Sequence, residues 1–440
     1  MNRISTTRAT PSHRRLAHLI IHLVLASTFV VGTRAQELYF PPPQSTGVWE
    51  SMSPSELGWC QERMDSLQTF LDRTYTKAFI VLKNGRIVRE WYFGSFQRDS
   101  VWYWASAGKT VTAALVGIAQ EKKLLDIQQP SSRYLGNSWS LMTKAQEDAI
   151  TVRHHLTMTT GVEGRGPDDT DCRTPNCFTY RAPPGTVWDY YNPAYLKLQD
   201  MVAGAAGMSF TTYYTQNLAR PIGMGGIFMN GVLWSVPRSM ARFGLLLLAK
   251  GVWNGDTVIR DRAYFNDMIS TSQDLNPSYG YLFWLNGKDR MMLPGIEASL
   301  AGPMIPQAPS DMYMGLGKND QKLYVIPSQN MVIIRMGNPP TGSEPMQIVY
   351  DRQLWELIAA LPCATSVSDS ETETTAAVWP NPVSDVLHHQ GETIRIWAVD
   401  GSTIHESATS SVDVRGLSPG VYMVESRRSH ATSRTLIVKQ

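Results

Sequence analysis

Four cysteines in 440 residues are too few for disulfides to stand in for a hydrophobic core. Charge is scarce as well. Asp, Glu, Lys and Arg make up 18% of the chain, and 40 basic against 38 acidic side chains leave a net of +2. With no basic excess and no basic patch interleaved with aromatics, the chain lacks the surface that nucleic acid requires. Long apolar runs are missing beyond residue 31, so no membrane-spanning segment is expected in the mature protein. A zinc site is also missing: Cys172-x4-Cys177 has neither His nor Cys at the usual ligand spacing. No metal and no cofactor are expected. What is present is 43% hydrophobic composition, enough for ordinary globular folding in more than one domain.

Arg14 and Arg15 precede an apolar run from Leu16 to Val31, and Thr33-Arg34-Ala35 offers small residues at the minus-three and minus-one positions. Residues 1–35 therefore read as a signal peptide cut before Gln36. His18 and His22 interrupt the run, and an uncleaved anchor is the alternative. Export exposes the cysteines to an oxidising compartment, where Cys172 and Cys177 can close a short disulfide loop around Pro175. At the other end, residues 365–375 are acidic and hydroxyl-rich, a linker with too few apolar groups to fold. Residues 376–440 carry short alternating runs, such as Ile394-Arg-Ile-Trp-Ala-Val399, which predict a small all-β unit.

Between them, Ala78 to Tyr92 reads as two strands around an Asn84-Gly85 turn, a type I′ hairpin signal. Ser106 to about Gly251 reads as mainly helical with long loops. Strand-like runs return at Tyr281–Leu285, Lys322–Ile326 and Met331–Met336, and a helix over Glu344–Leu361 closes the region.

Ser106-Ala107-Gly108-Lys109 is the stretch with the clearest chemical meaning. Apolar side chains recur at helical spacing from Val111 to Leu125, so Ser106 opens a buried helix and Lys109 lies one turn along on the same face. Amide N–H groups at the helix start favour negative charge near Ser106. Desolvation and the helix dipole depress the Lys109 ammonium pKa, making the neutral amine that a hydroxyl nucleophile requires. Further on, Tyr190-Tyr191-Asn192 supplies a Tyr-x-Asn, and Tyr313-Met314-Gly315-Leu316-Gly317 precedes the Lys322–Ile326 strand.

Ser-x-x-Lys, Tyr-x-Asn and a glycine-bearing strand, in that order, resemble the beta-lactamase-related serine hydrolases, nearest to the class C-like and 6-aminohexanoate-dimer-hydrolase-like branches. The resemblance covers about Pro54 to Pro362. It includes His155-Leu-Thr-Met-Thr-Thr-Gly161, Pro221-Ile-Gly-Met224, Ser239-Met-Ala-Arg-Phe-Gly244 and Tyr279-Gly-Tyr-Leu-Phe-Trp284. It implies an α+β fold: a beta-lactamase/transpeptidase-like antiparallel sheet flanked by helices with a helical subdomain, over 36–364. It also implies that Cys60 and Cys363 meet where the terminal helices pack together. Val378-Trp-Pro-Asn-Pro382 and Leu417-Ser-Pro-Gly-Val-Tyr422, with a short basic end, resemble the C-terminal sorting domain of the type IX secretion system. That implies a small β-sandwich over 376–440 that engages the secretion machinery, and a protein outside the cell or on its surface after crossing a Gram-negative periplasm. A carbohydrate-binding or spacer module is the alternative.

By this resemblance Ser106 attacks a carbonyl to give an acyl-enzyme, and Lys109 and Tyr190 share the proton work, the ammonium lowering the phenol's pKa. Asn192 orients Lys109 or the substrate. The backbone N–H groups of Ser106 and Leu316 form the oxyanion hole. The third motif departs from the family: Tyr313-Met314-Gly315 lacks the Lys-Thr-Gly or His-x-Gly cation that helps seat a substrate carboxylate. Lys318 follows nearby as a substitute or a solvated turn residue. A small-molecule ester or amide is thus the expected substrate. A D-alanyl-D-alanine carboxypeptidase or beta-lactamase, and a non-catalytic surface binding protein, are the alternatives. The acidic loop with Glu163, Asp168, Asp169 and Asp171 is expected beside the pocket. Trp102, Trp104 and Trp188 either line the cleft or pack in the core.

Overall fold

The computed structural model describes residues 38–43, 47–163, 171–340, 348–363, 378–379, 381–389, 391–398, 403–428 and 431–439. The expected signal peptide and linker, and Asp168 and Asp169, lie outside the described residues. The chain divides into two compact units, Met1–Cys363 and Ala364–Gln440.

The first unit is built on a six-stranded sheet in the order Arg86–Tyr92, Thr76–Lys83, Met331–Gly337, Gln321–Ile326, Tyr313–Gly317, Trp284–Leu285, antiparallel throughout. Asn84 and Gly85 have φ of 50° and 81°, the two left-handed residues that a type I′ turn demands. The central strands Met331–Gly337 and Gln321–Ile326 are buried along their whole length, because helices cover both faces. Helix Pro237–Leu248 packs on one face. On the other, Lys322 Nζ lies 2.6 Å from Asp351 Oδ2 and Tyr324 is edge-on to Trp355, both partners on helix Ile348–Ala359. That helix in turn packs on helix Gln61–Arg73. The Cys60–Cys363 disulfide joins the ends of this pair, where Cys60 N–H donates to Leu361 C=O at 3.0 Å and Cys363 N–H to Gly58 C=O at 2.7 Å.

Helices Lys109–Glu121 and Asn192–Ala206 pack together and, with the short helices Ser132–Leu135, Val152–Leu156 and Phe210–Tyr214 around the second of them, form the helical subdomain. The α+β expectation therefore holds. Two local readings do not. Within Tyr281–Leu285 only Trp284–Leu285 is a strand, because Leu282 sits at φ 61° and breaks the extended backbone. Within the stretch read as helical, Ile227–Met229 and Val232–Ser235 form a hairpin, and Trp102–Tyr103, just ahead of that stretch, pairs with the second of these strands to make a three-stranded sheet. Its hairpin turns at Asn230-Gly231, φ 48° and 82°, the same signal as Asn84-Gly85.

The second unit has a three-stranded sheet (Val378–Trp379, Val386–His389, Ser411–Asp413) and a four-stranded sheet (Thr403–Ser407, Thr393–Trp397, Gly420–Arg428, Ala431–Lys439). Val383, Leu387, Ile394, Ile396, Val412, Val414, Tyr422, Val424 and Ile437 fill the core between them, the two-layer arrangement of a small β-sandwich.

Candidate active site

Ser106 sits where a strand becomes a helix. Trp104 is fully buried, its backbone N–H held by Leu233 C=O at 2.8 Å and its indole N–H by Ser235 Oγ at 2.8 Å. Ala105 then takes φ 47°, a conformation that residues with a β-carbon rarely adopt. One 3-10 turn, Ala105–Gly108, follows, and the α-helix begins only at Lys109. Ser106 therefore lies in a tight turn ahead of the helix instead of opening it. The three-residue spacing still closes on itself: Lys109 Nζ lies 2.7 Å from Ser106 Oγ.

Lys109 is 3% exposed. Its Nζ also donates to Asn192 Oδ1 at 2.7 Å, and it stands 4.9 Å from the ring centre of Tyr190 and 4.7 Å from that of Tyr195. Among the described residues no carboxylate offsets the loss of water, and burial brings the ammonium pKa down to about 7. Ser106, Lys109, Tyr190 and Asn192 thus meet at one point, Asn192 from the first turn of helix Asn192–Ala206. Tyr190 shares a hydrogen bond with the Ser106 hydroxyl, yet burial, the dominant cause, pushes its phenol well above the ordinary range. This corrects the expectation that the lysine lowers it: a half-neutral amine over the ring face gives little of the stabilisation that lost water takes away.

The third element, strand Tyr313–Gly317, packs on the Ser106 turn. A β-carbon at Gly317 would lie 2.5 Å from Trp104 O and 3.1 Å from Ser106 N, so only glycine lets the strand approach this closely. Asn286 N–H donates to Met312 C=O at 2.9 Å, which turns the backbone groups of Met312 toward the side away from Gln321–Ile326. Backbone direction alternates along a strand, so Leu316 also presents its N–H on that side. Strand Trp284–Leu285 stops at Met314, and among the described residues no further strand pairs with the Leu316 edge on that side. Met314 is buried and the Tyr313 hydroxyl donates to Leu247 C=O at 2.9 Å; neither supplies a cation. Lys318 is exposed, and with Tyr103, Ala105, Asp171, Met229, Asn230, Val232 and Trp234 it lines a cavity of about 550 Å³ beside the Ser106 turn.

Trp104 and Trp188 are core residues and Trp102 is half-buried. His155 is buried with Nδ1 2.7 Å from Ala194 C=O, and burial brings its pKa down to about 4. Cys172 and Cys177 form a disulfide. Tyr195, which helical spacing sets one turn after Asn192 on the same face, is passed over in the sequence; Tyr279 and Trp284 stand there only as the ends of a family match, because their spacing carries no local signal of contact with Tyr190.

Residues 67–232 match the Beta-lactamase family model and residues 377–439 match the Secretion system C-terminal sorting domain. Among solved structures, a candidate 6-aminohexanoate-dimer hydrolase from Bacillus anthracis is similar at TM-score 0.56 and 21% identity, covering 73% of this chain and 89% of that one. A candidate beta-lactamase from Bacteroides dorei is similar at 0.55 and 18%, covering 69% and 99%. Simvastatin synthase from Aspergillus terreus is similar at 0.52 and 14%, covering 68% and 98%. At these identities the likeness establishes the fold. The chain carries a beta-lactamase family domain and, after it, a type IX secretion C-terminal sorting domain, which points to secretion or attachment at the cell surface.

Proposed function

We propose that this protein is a serine hydrolase that cleaves an ester or amide bond of a small-molecule substrate through an acyl-serine intermediate. The observation that carries the reading is the buried Lys109 Nζ, 2.7 Å from both Ser106 Oγ and Asn192 Oδ1 and with a pKa brought to about 7. Near neutral pH a neutral amine, with a lone pair for the serine proton, is then accessible. Asn192 occupies one of its N–H groups and turns the lone pair toward Ser106.

Ser106 Oγ attacks the substrate carbonyl carbon and loses its proton to the Lys109–Tyr190 pair, which titrates as a unit. The oxygen charge that develops is met by the N–H groups of Ser106 and Leu316. Tyr190, neutral because of burial, passes a proton to the leaving group; water then repeats the sequence on the acyl-serine. A cavity of about 550 Å³, the size of a small-molecule site, lies beside Ala105, next to the Ser106 turn, with none of Ser106, Lys109, Tyr190 and Asn192 in its lining.

A fluorophosphonate probe should label the wild-type protein at Ser106, with Ser106→Ala unlabelled. Labelling of that variant at another residue overturns the assignment. Because Tyr313-Met314-Gly315 holds no cation to seat a carboxylate, p-nitrophenyl esters should turn over and nitrocefin should not. The reverse result would favour a beta-lactamase or D-alanyl-D-alanine carboxypeptidase.

A further inference from the structure

Three aromatic side chains pack around Tyr190. Trp284 stacks on Tyr190, ring centres 5.8 Å apart and planes at 21°. Tyr279 stands edge-on to both, 4.8 Å from Trp284 and 6.2 Å from Tyr190. Trp188 closes the box, 6.0 Å from Trp284 and 5.4 Å from Tyr279. Trp188, Tyr279 and Trp284 are each less than a tenth exposed. The Trp188 indole N–H and the Tyr279 hydroxyl have no hydrogen-bond partner among the described residues. Leaving two buried polar atoms unpaired is costly, so a core needing only apolar filling would be better served by phenylalanine.

Trp284 also belongs to the sheet. It pairs with Met314 on the strand that carries Leu316, and bridges back to Tyr279. One indole thus touches the phenol through its face and the oxyanion-side strand through its backbone. Tyr190 itself lies on a loop just before helix Asn192–Ala206, and loops hold geometry less well than sheets do.

We propose that Trp284 is a positioning residue for the reaction: by stacking on Tyr190 while paired to Met314, it sets the phenol in register with the Ser106 hydroxyl and the Leu316 edge. The inference rests on Ser106 and Tyr190 acting as described under the proposed function. It predicts coupling between Trp284 and Tyr190, which mere core packing does not. Stacked aromatic pairs contribute an amount that corresponds to about a tenfold rate effect at the upper end. The same aromatic wall keeps water from the phenol, so thinning it lets the phenol ionise at lower pH.

The test is the single-turnover acylation rate with a p-nitrophenyl ester, measured with KM, thermal midpoint and pH profile. Trp284→Leu should lower the acylation rate about tenfold with KM nearly unchanged, and the alkaline limb of the profile should move to lower pH. Trp284→Phe, which keeps a stacking face, should stay within about threefold of wild type. On a Tyr190→Phe background, Trp284→Leu should cost little more. If Trp284→Leu fails to fold, Trp284→Phe and Trp284→Met on both backgrounds carry the same comparison. Equal fold-losses on the two backgrounds, or a Trp284→Leu rate equal to wild type, overturn the inference while leaving Ser106 as nucleophile. A wild-type protein unlabelled at Ser106 by fluorophosphonate overturns the parent reading as well.

Discussion

At the residue scale the proposed chemistry turns on the proton state of Lys109. Its pKa of about 7 arises from burial, so the neutral amine gains population as pH rises through that value. If the amine is the base for Ser106, acylation should fall about tenfold per pH unit below 7 and level off above it. A profile that falls with rising pH around 7 would mean that the ammonium charge does the work. Lys109→Ala should reduce acylation at least about a hundredfold, the low end for acid–base catalysis. Lys109→Arg should restore little, since guanidinium does not deprotonate in proteins. Tyr190→Phe should lose a comparable amount, and the double variant should be far less than multiplicatively worse. Single-turnover rates for the four proteins decide it, and a folded Lys109→Ala that acylates at the wild-type rate would refute the scheme.

At the element scale, two contacts hold the site in register. The first is strand Tyr313–Gly317 against the Ser106 turn. Gly317 has φ −133°, which alanine adopts without backbone strain, so Gly317→Ala acts through the crowding of its β-carbon, 2.5 Å from Trp104 O, 2.9 Å from Ala107 N and 3.1 Å from Ser106 N. Moving the strand outward by part of an ångström should slow acylation at least about tenfold and also lower the thermal midpoint, because the crowded atoms are backbone and cannot swing aside; an unchanged rate in the folded variant would show that the strand edge does not take part. The second is helix Val152–Leu156 against helix Asn192–Ala206 through His155 Nδ1 and Ala194 C=O. His155 has a folded pKa of about 4 against 6.5 unfolded. Its contribution is complete above pH 6.5 and lost as pH falls from 6.5 to about 4, because protonation adds a buried N–H at Nε2, which has no partner among the described residues. Those values correspond to about 3 kcal/mol. Urea unfolding at pH 7 and pH 4.5 should show that loss, and His155→Gln should flatten it; equal slopes for both proteins would assign the acid sensitivity elsewhere. Motif spacing made the Ser106–Lys109 pair and the Asn84-Gly85 hairpin legible, because both are local. The Trp284–Tyr190 stack and the Gly317 approach join residues far apart in sequence, and no spacing rule reports them. The Asn230-Gly231 hairpin was equally local and was masked by the apolar, helix-like stretches on either side. The raised Tyr190 pKa depends on what excludes water, which the pattern Tyr-x-Asn does not contain.

At the scale of the whole molecule, the sorting domain and the disulfides are consistent with one another: secretion provides the oxidising conditions in which cystines persist. The two cystines should differ in weight. Cys60–Cys363 spans a separation of 303 residues and Cys172–Cys177 only 5. The chain-entropy estimate for the first is about 6 kcal/mol and for the second about 2 kcal/mol, with measured effects usually lower. The long bridge also reinforces a seam that the fold already makes, since backbone hydrogen bonds join Cys60 to Leu361 and Cys363 to Gly58. It therefore guards the packing of helices Gln61–Arg73 and Ile348–Ala359 against opening, some distance in sequence from every residue of the site. Cys60→Ser/Cys363→Ser should lower the thermal midpoint by several degrees, with fluorophosphonate labelling of Ser106 retained below the transition. Cys172→Ser/Cys177→Ser should lower it less, because the short loop gains little by closure. If the short-loop variant proves the less stable of the two, loop-closure entropy is not what these bridges contribute, and the Cys172–Cys177 turn must be holding structure by its contacts instead.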